Sequence, residues 1–346
     1  MDLSSISGLS REIGFWSLFF VIRILTDESN RNPFQKIFSK LESSGEAALW
    51  RRIFLWTEKQ LGLRVGTIKA CVLIENVLAT FQMEEILWEL RDHSAGLNCG
   101  VWDYSASFVA KFGERKEFVL PDRSKYVNME REFLSSYRRL VVETAHGRGA
   151  PATGGMAADI VLGDEKVMEK VVREKRREVE AGVDGFLIYD TDLAGPCRRL
   201  WAEVRTVRGG PVPGSRSRVT PEMLLSLPSG GVTTDGLKLN IAVTVVFISS
   251  WIRERRGCLA FQGRAEDSAT AEISRCQVWQ WIHHGARLEE TGQLVTASLV
   301  RRLIAEFTAG KQLEPAGEIL LDIVTRREMP EFITTLLSDS YLFRFS

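Results

Sequence analysis

The sequence predicts an α/β domain built on a parallel sheet, open or closed into a barrel, followed by a helical domain. Two observations lead to this fold class. In the first two thirds of the 346 residues, short apolar runs typical of strands alternate with segments whose apolar residues have helical spacing. Beyond the glycine- and proline-rich stretch at 209–218, the remaining segments all have helical spacing. We therefore place a domain boundary near residue 215.

The first helix of this alternation is predicted over 46–61, where Leu49, Ile53 and Trp56 fall close to helical spacing. Gly66 then precedes a β-branched apolar run, 67–75, which is typical of a fully buried strand. The later elements of the α/β part are a helix over 77–90, an apolar stretch interrupted by glycines over 95–103, a helix over 130–146, a glycine-rich segment over 149–158, a charged helix over 164–180 and a strand over 184–190. Beyond residue 215 we predict helices over 237–255, 267–284, 296–308, 314–326 and 330–337.

Composition and charge exclude several classes of protein. The chain has 45 basic and 45 acidic residues, hence a net charge of zero, and no basic stripe, so we expect no nucleic-acid partner. The apolar run at 14–25 carries Arg23 and is shorter than the roughly 20 residues that span a membrane, so we expect no membrane partner. The five cysteines form no C-x-x-C pair and are interpreted as reduced thiols of an intracellular protein without a zinc site.

Two carboxylates at predicted strand ends are the first candidates for chemistry. Glu75 ends the run at 67–75, and Asp103 ends the stretch at 95–103. The carboxyl ends of parallel strands face the ligand site, and two acidic side chains there, with no adjacent Lys or Arg in sequence, suit Mg²⁺. The alternative is that Glu75 caps the following helix and that Asp103 belongs to a turn.

Asp267 is the third candidate, because it lies directly before a predicted amphipathic helix. An aspartate in that place is typical of a helix N-cap, which is the structural interpretation. The functional interpretation is a general base that the helical domain delivers to the mouth of the strands. The common phosphate-binding, dinucleotide-binding, serine-hydrolase and zinc-protease motifs are absent from the sequence, so they offer no competing site.

The segment at 91–104, RDHSAGLNCGVWDY, resembles the signature of A-type malate synthases, in which GLNxGxWDY follows a basic residue, an acidic residue, histidine and two variable residues. Further segments similar to this family are GTIKACVLIENVLATFQMEEILWELRDH at 66–93, FVLPDR at 118–123, GGMAA at 154–158, DGLKLNIAV at 235–243 and EDSATAEISRCQVWQWIHHGA at 266–286. The similarity extends from about residue 34, where FQKIFSKLES resembles a YFYLPKLES-like segment, to the C-terminus. The chain is thus identified, by resemblance, as an N-terminally truncated or divergent member of this family.

The resemblance implies an α/β fold with an incomplete TIM-type β/α barrel followed by a C-terminal all-helical domain over its mouth. We assign 1–33 to a poorly matched N-terminal helical segment, 34–215 to the partial barrel with its metal site, and 216–346 to the helical domain with the catalytic aspartate. The resemblance also implies an acyltransferase of the glyoxylate cycle that condenses acetyl-CoA with glyoxylate and water to give malate and CoA. Glu75 and Asp103 would then be ligands of Mg²⁺, and Asp267 the catalytic base; no CoA-contacting residue is assigned.

Several family features are absent from this sequence. An Arg-Pro-Arg-Gly segment, whose first arginine stabilises the enolate, and an acidic Leu-Glu-Asp segment near the metal do not occur. A His-Pro-Gly has become Asp-Thr-Asp at 190–192, and the Asn-Leu-Met before the catalytic Glu-Asp has become Gly-Arg-Ala at 263–265. Because losing one preorganised donor typically costs about 10²–10³ in rate, we expect the isolated chain to bind magnesium better than it turns over substrate. We assign Arg264 no role at the enolate.

A barrel without its first two strands has two unpaired edges, which promote aggregation unless they are covered. Either residues 1–32 fold over the gap, or the chain associates with itself or another polypeptide through these edges, or the gene sequence is incomplete. Two functions compete with malate synthase activity. One is a catalytically impaired paralogue or gene fragment that keeps metal or CoA binding, and the other is a related CoA-thioester lyase acting on another 2-oxo acid.

The expected partners are small molecules, glyoxylate and acetyl-CoA. The chain ends in Arg-Phe-Ser at 344–346, which differs from the Ser-Lys-Leu peroxisomal address of many eukaryotic family members. We therefore expect a cytoplasmic location, with a peroxisomal one known in the family.

Overall fold

The computed structural model describes residues 35–208 and 218–341. The predicted N-terminal helical segment at 1–33 lies outside these residues, and so does the apolar run at 14–25. The predicted loop at 209–218, apart from its last residue, the domain boundary near residue 215 and the C-terminal residues 344–346 also lie outside them.

The described part contains a five-stranded parallel sheet, as the alternation of strand-like and helical segments predicts. Its strands are β1 (Gln35–Phe38), β2 (Lys69–Leu73), β3 (Ser94–Asn98), β4 (Ala152–Ala157) and β5 (Gly185–Ile188). They lie in chain order, and each pairs in parallel with the next. This order results from successive β/α units, the repeating unit of a TIM barrel, which closes with eight strands. The described strands therefore agree with the predicted incomplete TIM-type barrel.

Helices connect these strands and cover the sheet. They are α1 (Ser44–Gln60), α2 (Met83–Glu89), α3 (Trp102–Phe112), α4 (Arg123–Tyr126), α5 (Glu132–Gly147), α6 (Glu165–Glu180) and α7 (Ala194–Arg208). Val72 of β2, Leu97 of β3 and Leu134 of α5 belong to the same buried apolar cluster, which joins sheet and helices. Because this packing uses the faces of the sheet, the loops at the carboxyl ends of the strands are left for a site.

Strand β4 was not predicted, because its sequence ATGGMA has few of the residues that favour strands. The structure shows why the glycines are there. A side chain at Gly154 would collide with the carboxylate of Glu178 on α6, which forms an ion pair with the buried Lys175. The ammonium group of Lys175 also donates a hydrogen bond of 2.8 Å to the carbonyl oxygen of Gly155. The glycines thus leave room for an ion pair against the strand, as a glycine within a strand often does.

The C-terminal part is mainly helical, as predicted. Its helices are α8 (Pro221–Leu224), α9 (Thr234–Glu254), α10 (Ser268–His283), α11 (Ala297–Thr308), α12 (Glu314–Thr325) and α13 (Ile333–Ser340). Helix α10 lies at the centre, since every residue from Thr270 to Trp281 is buried. It packs against α9 and α12 on the C-terminal side and against α3 of the barrel side. The N-terminus of α10 is therefore held close to the strand ends.

One detail of the C-terminal part departs from the helical pattern. Residues 258–267 form an antiparallel hairpin of two strands, β6 (Cys258–Phe261) and β7 (Arg264–Asp267). The two residues between them, Gln262 and Gly263, have φ angles of 48° and 75°. Positive φ at both central positions is typical of a type I′ turn, in which glycine is favoured because it has no Cβ. The strands are only four residues each, too short for their pattern to be distinguished from the helical segments around them.

Helix α9 is long and apolar enough to cross a membrane, judged by length and composition alone, with a mean hydropathy of 1.3. In the structure 61% of that stretch is buried inside the protein. Leu237, Ile241 and Phe247 of this helix belong to the buried apolar cluster of the C-terminal part. A core helix passes the same length and composition test, and the packing shows α9 in that role.

The segment before α4 joins the two parts of the chain through hydrogen bonds to α10. Gln277 donates from its side-chain nitrogen to the carbonyl oxygen of Pro121 at 2.6 Å. Trp281 donates from Nε1 to the carbonyl oxygen of Leu120 at 2.8 Å. Each bond pairs a buried backbone carbonyl that would otherwise lose its hydrogen bond to water. The FVLPDR segment thus fixes the helical part against the barrel part.

A glycine at the same junction leads to a prediction about stability. A Cβ at Gly236 would overlap the carboxylate of Asp122, which is buried and accepts hydrogen bonds from Ser124 and Thr233. We expect Gly236→Ala to lower the free energy of unfolding by about 1–3 kcal/mol, the usual cost of overpacking. The measurement is denaturant unfolding, with Gly147→Ala as the control, since no atom lies within 4 Å of a Cβ there. Equal stability of Gly236→Ala and the parent chain would contradict this packing argument.

Candidate active site

Glu75 and Asp103 both lie at the carboxyl ends of the strands, but on different kinds of element. Glu75 follows β2 by two residues, as predicted. Asp103 was predicted to end a strand, and this is wrong: β3 ends at Asn98, and Asp103 lies in the first turn of α3. The connecting loop passes close over Glu75, because a Cβ at Gly100 would lie 3.2 Å from Glu75 Oε2. This close passage brings the start of α3 to the end of β2.

Lys40, which the sequence analysis did not single out, joins the two carboxylates. It follows β1 by two residues, and its backbone nitrogen donates to Glu75 Oε1 at 2.7 Å. Its ammonium nitrogen lies 3.6 Å from Glu75 Oε1 and donates a hydrogen bond to Asp103 Oδ2. Since both carboxylates contact one nitrogen atom, they face each other across a single ammonium group.

Burial and like charge set the electrostatics of this pair. Burial, and next the charge of Asp103, raise the pKa of Glu75 to about 8, while the charge of Lys40 acts in the opposite direction. Burial lowers the pKa of Lys40, but Glu75 and Asp103 together raise it above its usual value. The lysine therefore carries a positive charge at neutral pH, between two acidic groups that share a buried place.

The donor set fits a small hard cation. Asp103 is buried, and its Oδ1 atom has no hydrogen-bond partner, which is costly for a carboxylate oxygen. Among the described residues, no group of three or more His, Cys, Asp and Glu side chains could hold a metal ion. Magnesium, however, commonly takes only one or two protein carboxylates and completes its octahedron with waters and substrate oxygens. Glu75 and Asp103 meet that requirement. A metal ion bound to them would have to displace the ammonium group of Lys40.

Asp267 is the last residue of β7 and the N-cap of α10. Its carboxylate accepts hydrogen bonds from the backbone nitrogens of Ala269 at 2.9 Å and Thr270 at 3.2 Å, so the structural interpretation is correct. The same carboxylate also interacts with the site. Burial, and then the charge of Asp103 among other contacts, raise the pKa of Asp267, while Lys40 acts to lower it. Asp267 therefore caps a helix and lies close enough to Asp103 and Lys40 for their charges to affect its pKa, so the structural interpretation does not exclude the functional one.

The C-terminal part closes one side of the site through a buried ion pair on α10. Glu272 pairs with Arg275, and Glu272 Oε2 accepts a hydrogen bond of 2.9 Å from the backbone nitrogen of Ile333. The guanidinium of Arg275 donates to the carbonyl oxygens of the loop before α13 at 2.7 and 3.1 Å. These bonds hold the ring of Phe332 with its centroid 4.4 Å from the ammonium nitrogen of Lys40. The sequence analysis did not identify Glu272, Arg275 or Phe332. Helical spacing predicts that a residue is buried, but it does not predict which residues it contacts.

Arg123 of the FVLPDR segment is buried beside the site. Its Nε donates to Asn240 Oδ1 at 2.9 Å, and its Nη2 donates to Ser274 Oγ at 3.0 Å. The guanidinium carbon lies 5.1 Å from the ring centroid of Trp102, which precedes Asp103 in the chain. Burial lowers the pKa of Arg123 to about 10. The arginine thus ties α9 and α10 to the start of α3, where Asp103 lies.

The segments at 190–192 and 263–265, which differ from the family pattern, contact residues close to them in the structure. Arg264 lies 3.5 Å from Asp159 Oδ1. Asp190 Oδ2 accepts a hydrogen bond of 2.7 Å from the backbone nitrogen of Val161. Its other oxygen accepts one of 3.0 Å from the backbone nitrogen of Asp192. Both changes therefore serve local structure in this chain.

The chain matches malate synthases both in family models and in individual protein sequences. The family model for the malate synthase TIM barrel domain matches residues 16–208, and the model for the malate synthase C-terminal domain matches 231–341. The chain is 38% identical over 364 residues to a malate synthase of Dictyostelium discoideum, covering 99% of this chain and 66% of that protein. It is 43% identical over 288 residues to the malate synthase of Myxococcus xanthus, covering 81% and 52%. The malate synthase A of Escherichia coli is 39% identical over 315 residues, covering 85% and 58%.

A solved structure of Haloferax volcanii malate synthase, a ternary complex with pyruvate and acetyl-CoA, aligns with a TM-score of 0.48 at 14% identity. The alignment covers 84% of this chain and 69% of that one. The chain spans about half to two thirds of the length of the three malate synthases to which its sequence was compared above.

Proposed function

The chain belongs to the malate synthase family, and we propose that it condenses acetyl-CoA with glyoxylate and water to give malate and CoA with the help of Mg²⁺. The observation that supports this proposal is the contact of Glu75 and Asp103 with one ammonium group at the carboxyl ends of β2 and β3. The carboxylate of Asp267, from the C-terminal part, lies close enough to Asp103 for the charge of Asp103 to raise its pKa.

In this proposal, Glu75 and Asp103 would hold Mg²⁺, and the metal would supply polarisation of the aldehyde carbonyl of glyoxylate. Asp267 accepts a proton from the methyl group of acetyl-CoA, and the C–H electron pair becomes the enolate. The enolate carbon then forms a bond to the aldehyde carbon, whose carbonyl electron pair moves to oxygen. This oxygen takes up the proton that Asp267 had accepted, which returns Asp267 to its basic form. Water attacks the thioester carbonyl of the resulting malyl-CoA, and CoA leaves as the thiol.

Burial of Asp267 supports its role as a base. A carboxylate in water is weakly basic, and burial makes it more so, because the charged form loses solvation. The two backbone hydrogen bonds at the N-terminus of α10 fix the carboxylate in one orientation. A fixed base in a site that excludes water is what removal of a carbon-bound proton requires.

The test of the function is a thiol-release assay on the purified chain with acetyl-CoA, Mg²⁺ and glyoxylate. We expect CoA to appear only when glyoxylate and the metal are both present. Preference for a different 2-oxo acid would indicate a related CoA-thioester lyase instead. Binding of Mg²⁺ and acetyl-CoA in calorimetry, with no thiol release, would indicate a catalytically impaired paralogue.

Named relatives include glyoxysomal malate synthases of Candida tropicalis and Zea mays as well as bacterial enzymes. For this chain we propose a cytoplasmic location, as expected from the sequence. Self-association through the edges of the sheet stays a prediction. Light scattering would test it, with a mass that is a multiple of 39.0 kDa as the expected result.

A further inference from the structure

We propose that Lys40 is a tethered cation that holds the metal site in its metal-free form, competes with Mg²⁺ for Glu75 and Asp103, and is displaced when the metal binds. This inference rests on the proposed function, because it concerns the same two carboxylates. It makes Lys40 a positioning residue, a role that the sequence motifs do not indicate.

The first argument is that the two cations need the same atoms. The ammonium group of Lys40 donates to Asp103 Oδ2 and lies 3.6 Å from Glu75 Oε1. A magnesium ion bound by these carboxylates would lie about 2.0–2.1 Å from one oxygen of each. An ammonium group in contact with the same oxygens would then be within a few ångströms of a dication, where like charge repels it strongly. Both cations cannot keep their contacts at once.

The second argument is that the backbone of the lysine is fixed while its side chain is partly exposed. Its φ angle is 66°, a left-handed conformation that is uncommon for a residue with a Cβ. The bond from its backbone nitrogen to Glu75 helps to maintain that conformation. Its side chain is 34% exposed, so part of it lies at the surface. Displacement thus requires rotation of the side chain alone.

The third argument concerns the charges that face the ammonium group. Glu75, Asp103 and Glu272 all stabilise its charge, and Asp267 lies close enough to interact with it. Of these four carboxylates, Glu272 is already paired with Arg275. Lys40 is the cation that contacts Glu75 and Asp103, and without a cation these two acidic groups would lose their charged partner in a buried place. Lys40 therefore explains how the metal-free chain keeps its carboxylates together, and Mg²⁺ would replace that function.

The first experiment uses the unaltered chain. Trace acetylation of lysines, read by mass spectrometry, is compared with and without saturating Mg²⁺, using Lys69 as the internal control. Lys69 lies at the start of β2, at the opposite end of the sheet, and donates to the carbonyl oxygen of Asp92. We expect Mg²⁺ to increase the acetylation rate of Lys40 several-fold and to leave Lys69 unchanged. An unchanged or lower rate at Lys40 while Mg²⁺ is bound would overturn the inference.

The second experiment measures the competition directly by calorimetry in the absence of substrate. We expect Lys40→Met to bind Mg²⁺ about tenfold more tightly than the parent chain, within the usual range of coupling between two ligands, and Lys69→Met to bind it equally well. If the parent chain binds Mg²⁺ and forms malate but Lys40→Met binds no more tightly, this inference alone fails. If neither protein binds Mg²⁺, the metal site of the proposed function fails with it.

Discussion

Asp267→Asn is expected to lower the rate of malate formation by about 10²–10⁴-fold, the usual contribution of a general base, with little loss of stability. The reason is that asparagine and aspartate are about equally good helix N-caps. The side-chain oxygen of asparagine can accept the same hydrogen bonds from Ala269 and Thr270, but an amide does not take a proton from carbon. Initial rates of thiol release, together with the unfolding midpoint, separate the two roles.

A matched control is available at another helix. Asp164 is the N-cap of α6 and accepts hydrogen bonds from the backbone nitrogens of Lys166 and Val167. Asp164→Asn makes the same chemical change in the same structural role, and we expect full activity. Asp267→Ala should lose both the base and the cap, with an added loss of about 1 kcal/mol in stability. Activity of Asp267→Asn within a few-fold of the parent chain would show that Asp267 is a cap alone.

Glu75→Gln and Asp103→Asn are each expected to weaken Mg²⁺ binding by about 100-fold or more. Replacement of groups that merely orient a metal ligand costs about 10–100-fold, and loss of a charged ligand costs at least as much. Both substitutions keep the size of the side chain. The amide oxygens can still accept hydrogen bonds from Lys40, so the fold should tolerate both substitutions. Calorimetry with Mg²⁺ alone measures the effect without any need for turnover.

Glu58 provides the control for a buried glutamate away from the site. It lies on α1 and accepts a hydrogen bond of 2.9 Å from the backbone nitrogen of Ile68, and its other oxygen lies 3.1 Å from His93 Nε2. Both of these partners directly precede a strand, so the pair lies at the opposite end of the sheet. Glu58→Gln should therefore lower stability and leave the Mg²⁺ affinity unchanged. Binding by Glu75→Gln that equals the parent chain would exclude Glu75 as a ligand.

Part of the site was predictable because its residues follow from one-dimensional patterns. The continuous apolar run of β2 ends near Glu75, and parallel strands present their carboxyl ends to a ligand. Asp267 was predictable because an acidic residue before an amphipathic run indicates the start of a helix. The order of the sheet follows in the same way from alternating strands and helices, since each unit places its strand beside the previous one.

The remainder depends on contacts that sequence spacing does not contain. Lys40 reaches the site through a left-handed backbone conformation, which its residue type does not favour. Asp103 belongs to a helix rather than a strand, because the chain must pass closely over Glu75 at Gly100. Strand β4 has glycines where strand-forming residues would be expected, because an ion pair of α6 takes the space. In each case a neighbour distant in sequence decides the local conformation.

Carbon labelling tests the central claim most directly, that these carboxylates catalyse condensation of acetyl-CoA with glyoxylate. The purified chain is incubated with Mg²⁺, glyoxylate and acetyl-CoA labelled with ¹³C in the methyl group, and the products are followed by NMR. We expect the label to appear in the methylene carbon of malate, with one CoA thiol released for each malate formed. Label that stays in acetyl-CoA, or that appears in acetate through hydrolysis of the thioester, would contradict the proposed function.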